Sequence, residues 1–211
     1  LPVQRYKVIA RNRLASGVLY GNLDNFERAN AMAHLTTKSE SYVEQHRRVI
    51  FASFQNLTVL ANGSSVFTLE PRLLSKKIEY KIIFSGDPQL ITNCTAIING
   101  VIKGVYLSNG GYIVNDNYFG KLSTEFNDEN HYFAEIYVFG INANIKDNIA
   151  LFFKYNNGSE QILDIDISDA FKDFVVTKKI TLYIDITLAT EGNFSAKLKS
   201  WVATEEEINL E

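Results

Sequence analysis

Apolar residues recur at every second position over most of this chain. Ile78, Tyr80, Ile82 and Phe84 share one strand face and Lys77, Glu79 and Lys81 the other, and Leu163, Ile165 and Ile167 alternate with Asp164 and Asp166. Ile180, Leu182, Ile184, Ile186 and Leu188 fall on one side of a run whose other side carries Thr181, Tyr183, Asp185 and Thr187. That is the pattern of a half-buried antiparallel strand; a helix would spread the same residues around its circumference. Further strands are expected over 5–10, 49–54, 66–69, 95–107, 134–141, 149–155 and 194–199, which are rich in β-branched and aromatic residues.

Turn chemistry separates these runs. Asn62-Gly63, Ser85-Gly86-Asp87-Pro88, Asn99-Gly100, Asn109-Gly110-Gly111, Asn157-Gly158 and Glu191-Gly192-Asn193 supply positive-φ or proline positions. Helical signal is confined to 24–34, with Asp24 as its N-cap, and to one turn over 168–172. The most polar interval is 115–130, after which alternation resumes at His131. The expected fold is mainly β: two tandem antiparallel β-sandwich domains, residues 1–125 and 126–211.

Composition narrows the function. With 46% apolar and 21% charged residues in 211, the chain buries a core and is not disordered. Lys and Arg number 21 against 24 Asp and Glu, a net charge of −3 that offers no field for nucleic acid. The one cysteine, Cys94, reads as a small buried hydrophobe, and three histidines, His34, His46 and His131, are too scattered for a zinc site. No run is long and apolar enough for a membrane helix, and residues 1–9 read as a strand rather than a signal peptide. The expectation is that the chain derives from a longer product, with any export signal or lipid-bearing cysteine upstream.

Candidate chemistry is thin. Asp164, Asp166 and Asp169 alternate as calcium ligands do, yet no glycine stands at the sixth position and no glutamate closes a loop; solvated carboxylates on an outward strand face are the better reading. Asp164 with Asp185 could form a glycosidase dyad only by chance pairing, and nucleophile-elbow and phosphate-loop motifs are missing. The chain is therefore expected to be no enzyme and to hold no cofactor or metal. Arg11, Arg13, Arg28 and His46-Arg47-Arg48, near Tyr6 and Tyr20, could form a patch for acidic glycans, although polar strand faces account for them too. Five Asn-x-Ser/Thr sequons, at Asn56, Asn62, Asn93, Asn157 and Asn193, suit glycosylation or simply asparagine-rich composition.

One arrangement is more specific. Leu69-Glu70-Pro71-Arg72-Leu73-Leu74-Ser75-Lys76-Lys77-Ile78-Glu79-Tyr80-Lys81-Ile82, followed by Thr95-Ala96-Ile97-Ile98-Asn99-Gly100-Val101, resembles the first-domain core of the fimbrial anchor proteins of the Bacteroidetes, the Mfa2-like and FimB-like family. Tyr137 to Ile141, Ala150 to Phe153 with Asn157-Gly158, Asp164 to Asp169, and Gly192-Asn193-Phe194 leading to Trp201 and Glu205 to Ile208 follow the order of the family's closing motifs. Residues 5–12 are similar to its early tyrosine-to-asparagine strand.

The resemblance implies two transthyretin-like sandwiches, a place in the fimbrium at the cell surface or outer membrane, and an upstream lipid anchor that this chain does not contain. It also implies a non-enzymatic role as pilus anchor or minor subunit, with related fimbrial subunit proteins as partners through β-strand pairing at open sheet edges. The alternative is a carbohydrate-binding or adhesin module meeting a host protein or glycan, for which Tyr112, Tyr118 and Phe119 would form an exposed aromatic row.

Overall fold

The computed structural model describes residues 4–13, 16–35, 42–43, 50–60, 66–85, 91–114, 118–123, 125–127, 131–142, 144–174, 177–188 and 194–205. Alternation becomes strand wherever one face finds a core. In chain order these are β1 (Arg5–Arg11), β2 (Val18–Gly21), β3 (Asn30–Ala33), β4 (Tyr42–Val43), β5 (Phe51–Thr58) and β6 (Arg72–Leu73). There follow β7 (Lys76–Ser85), β8 (Ile91–Val101), β9 (Gly104–Tyr106), β10 (Tyr112–Ile113), β11 (Tyr118–Ser123) and β12 (Glu125–Asn127). The chain continues through β13 (His131–Val138), β14 (Asn148–Tyr155), β15 (Glu160–Asp166), the helix α1 (Ser168–Phe174), β16 (Lys179–Leu188) and β17 (Phe194–Thr204).

Four sheets result. A three-stranded sheet, β1-β5-β6, and a four-stranded sheet, β10-β9-β3-β2, make a first sandwich. Two five-stranded sheets make the second: a front sheet, β15-β14-β8-β11-β4, and a back sheet, β12-β13-β7-β16-β17. Ile78, Tyr80, Ile82, Ile136, Ile180, Leu182, Ile184 and Ile186 of the back sheet are wholly enclosed. They face Ala96, Ile98, Ile149 and Leu151, which are enclosed on the front sheet, and Phe84 meets Phe153 edge-on across the layers at 5.9 Å between centroids.

The mainly-β sandwich class matches the alternation, with three corrections. First, the sheets are mixed: β16 pairs antiparallel with β17 but parallel with β7, and β4 runs parallel to β11. Second, a cut at residue 125 would part β7 and β8 from the strands they pair with, β13, β14 and β16. The sheets instead group β9 and β10 with the N-terminal strands and return the chain to the second sandwich at β11. Within the polar interval at 115–130, β11 lies between β8 and β4 in the front sheet and β12 at the edge of the back sheet. Third, residues 66–69 form no strand, and Val66 stands 94% exposed.

The helix expected over 24–34 is also replaced. Asn25, not Asp24, caps a single turn, its Oδ1 accepting from the backbone N–H of Glu27 and Arg28, and the chain then enters β3. Asn30-Ala31-Met32-Ala33 has alternatives as a helix, but β2 and β9 flank it and supply its ladder. The turn expected at Asn99-Gly100 lies inside β8, where Gly100 takes φ +73°. The helix expected at 168–172 forms and runs to Phe174.

Candidate binding surfaces

Among the described residues no three His, Cys, Asp or Glu side chains converge as metal ligands would. Asp164 and Asp166 point outward from β15, while Asp169 pairs with Lys172 of its own helix at 2.6 Å. Asp185 stands on the outer side of the back sheet and Asp164 on that of the front sheet, so the fold separates the two carboxylates. Cys94 is buried in β8, His34 follows β3, and His131 opens β13. His46, Arg47, Arg48, Asn62 and Asn193 lie outside the described residues.

Among the described residues, Asp147 is a buried carboxyl whose titration is strongly perturbed. It is 5% exposed, its Oδ1 lacks a hydrogen-bond partner, and that oxygen would sit 3.3 Å from a Cβ at Gly100. Burial, aided by the nearby negative charge of Asp166, raises its pKa to about 6. Asp166 itself is held at about 2 by the Ser168 backbone N–H, the Ser168 hydroxyl and Lys146. Lys146 and Lys172 line the same 300 Å³ hollow, so the acidic pair has cations already at hand.

Sheet edges are the second class of surface. β17 carries Lys197 and Lys199 and is bulged opposite Tyr183 and Ile184; β15 carries Glu160, Asp164 and Asp166. Charges and bulges of this kind blunt an edge against further pairing. β1 differs. Among the described residues it pairs with β5 alone, and the bonds from Val59 N–H to Gln4 O and from Asn12 N–H to Phe51 O fix which residues face β5. In an antiparallel ladder the even-numbered residues of β1 then bond to β5, while Lys7 and Ile9 turn their N–H and C=O to the open side.

Two of the cations of β1, Lys7 and Arg11, are engaged within the fold beside that edge. Lys7 pairs with Glu27 and lies over the Phe26 ring at 4.9 Å, and the Arg11 guanidinium stacks on Tyr20 at 3.8 Å. Beside the edge a groove of about 320 Å³ is floored by Ile9, Leu23, Phe26 and Ala29. Arg11 and Tyr20, singled out as part of a basic patch, are thus brought together by the fold, with their charge and ring satisfying each other. Phe26 and Leu23 carried no sequence signal because they lie in a turn without alternation.

The outer faces of the second sandwich contrast. On the back sheet, Glu79 receives Lys77 and Lys179 at 2.8 Å each, Lys77 reaches on to Glu135 at 2.8 Å, and Thr181 donates to Glu79 at 3.1 Å. Burial opposes the charge on Glu79, but the hydrogen bonds from Lys179 and Lys77 outweigh it and hold the carboxyl below its ordinary range. On the front sheet, an open groove of about 540 Å³ is lined by Tyr42, Ile97, Phe152 and Ile162 with Asn93, Thr95, Lys154 and Glu160. The aromatic row expected from Tyr112, Tyr118 and Phe119 does not assemble. Tyr118 is buried at 8% exposure, Tyr112 lies over Gly140, and Phe119 stacks on Tyr42 at 5.6 Å.

Solved structures share this fold. An adhesin candidate from Bacteroides ovatus superposes with a TM-score of 0.64 at 13% identity, over 99% of this chain and 78% of that one. The fimbrial anchor protein Mfa2 from Porphyromonas gingivalis gives 0.60 at 8% identity, over 98% and 78%. A candidate polysaccharide-binding protein from Bacteroides thetaiotaomicron gives 0.61 at 10% identity, over 98% and 78%. No protein-family model and no curated protein matches the sequence. The likeness to a fimbrial anchor read from motif order is met here as a likeness of fold.

Proposed function

We propose that this chain is a non-enzymatic component of a cell-surface fimbrium, an anchor or minor subunit that holds related subunits by accepting an extended segment along β1. The observation that carries the reading is the open edge of β1: its outward backbone groups at Lys7 and Ile9 border a groove with an apolar floor of Ile9, Leu23, Phe26 and Ala29 and a charged rim of Lys7, Arg11 and Asp24. A strand added there gains a ladder of hydrogen bonds, and every second side chain of it enters the groove over Leu23 and Phe26. The fimbrial anchor among the structural neighbours supports the same reading. With it comes location at the cell surface or outer membrane, through a lipid anchor upstream of residue 1.

Proline substitution tests the edge. Ile9→Pro removes an N–H that faces outward and leaves the β1–β5 ladder whole, whereas Val8→Pro removes one that faces β5. Pull-down of fimbrial subunits by the purified chain should fall at least about tenfold with Ile9→Pro, whose melting temperature drops only by the loss of a half-buried side chain, whereas Val8→Pro should lower that temperature further by breaking the ladder. Capture that survives Ile9→Pro refutes the edge as the docking site.

A further inference from the structure

We propose that the outer face of the front sheet is a binding site for a neutral glycan. The groove there spans β8, β14 and β15, and its floor is built by strand pairing. Phe152 stands opposite both Thr95 and Ile162 in the ladder, and Ala150 stands opposite Ile97, so an apolar strip runs across three strands on the solvent side. Ile162 is 57% exposed. At one end Tyr42 and Phe119 form a tilted ring pair. Apolar groups gathered in one place on a sheet face, when the outer face on the opposite side of the sandwich is laced with ion pairs, mark a surface made to be covered.

The chemistry of the rim selects the occupant. The backbone groups of β8 and β14 are taken up on both sides within the sheet, and the outer edge of β15 carries Glu160, Asp164 and Asp166, which blunt it against an added peptide strand. Lys154 and Glu160 occupy facing positions of β14 and β15, one cation and one anion, so the rim carries no net charge. Thr95 donates to the Asn93 amide oxygen at 3.1 Å, so the amide N–H₂ is what Asn93 can offer a ligand. Rings and aliphatic groups below, with uncharged donors and acceptors at the edge, match a molecule with apolar C–H faces and a hydroxyl periphery, as in a pyranose. A volume of about 540 Å³ falls within the roughly 300 to 1,000 Å³ usual for small-ligand sites and holds two to three such rings.

The site is separate from the β1 edge, so the two readings stand or fall independently. Maltotetraose, cellotetraose, chitotetraose and mannotetraose, titrated to about 10 mM into the ¹⁵N-labelled chain, are the probes. At least one should give saturable shifts at the amides of Thr95, Ile97, Phe152 and Lys154, with a Kd of about 1 mM or below. Phe152→Ala and Asn93→Ala should each weaken that binding at least about fivefold with the spectrum otherwise preserved, while Ile9→Pro leaves it unchanged. No saturable shift with any of the four, shifts clustered elsewhere, or burial of this face by dimerisation in solution would overturn the proposal.

Discussion

Asp147 and Tyr80 are the residues where burial and polarity conflict most openly. The Asp147 carboxyl has a folded pKa of about 6 against an ordinary 3.8, so protonation favours the folded chain. Below pH 3.8 the group is protonated in both states and has no cost; the cost grows between about 4 and 6 and is complete at neutral pH. Asp147→Asn should therefore be more stable than the parent by about 1 to 2 kcal/mol at pH 7, with the gap vanishing near pH 4; urea titrations of both proteins at several pH values measure it. Tyr80 is wholly enclosed and its hydroxyl has no hydrogen-bond partner. Tyr80→Phe should leave stability unchanged or raise it by about 1 kcal/mol, since it removes a desolvated hydroxyl and little volume. Thermal melts settle that, and a loss above about 2 kcal/mol would show that the hydroxyl has a role in the core.

At the scale of the element, β7 holds the back sheet together because each of its faces has a different task. Ile78, Tyr80, Ile82 and Phe84 fill the core, and Glu79 ties the outer face to β16 through Lys179 and Thr181. Glu79→Gln leaves Lys77 and Lys179 without their shared carboxylate, and the expected cost is about 1 to 3 kcal/mol, discounted from a fully buried pair because Lys179 reaches solvent. The pKa of Glu79 is lowered by folding, so its contribution is present above the ordinary carboxylate pKa and fades as pH falls through the folded value. The destabilisation should thus shrink in acid, which denaturant midpoints at pH 7 and pH 3 would reveal.

The two faces of β7 were legible from alternation alone, as were β14 and β16, since a period of two needs only one buried side. The segment at 24–34 was not: four residues of β3 hold too little pattern to outweigh the helical look of Asn30-Ala31-Met32-Ala33, and their ladder partners lie near Val18 and Gly104. Nor was the groove on the front sheet, because Tyr42, Ile97, Phe152 and Ile162 come from four strands that only pairing brings together. The open edge at β1 was expected as a class of site, while its groove required the turn that carries Leu23 and Phe26.

For the whole molecule the decisive feature is the order in which the chain visits its sheets. β7 and β8 are laid down before β9 and β10 close the first sandwich, and both then wait for strands that come later in the sequence. The core is accordingly continuous, with Val18, Ala31 and Val105 in one buried cluster with Ile78, Ile98 and Ile184. Two separable tandem domains would tolerate division at residue 125. Interleaved sheets would not, since the fragment 126–211 retains β13, β14 and β16 without the strands that lie between or beside them. Neither fragment, 1–125 or 126–211, is expected to show cooperative unfolding alone, and an equimolar mixture should regain dispersed amide signals if the ladders can form in trans. Trp201, whose indole N–H donates to Asp173 at 2.8 Å, gives a fluorescence reading of the second fragment. A fragment 126–211 that melts cooperatively by itself would show that the strands shared across residue 125 are dispensable to the core.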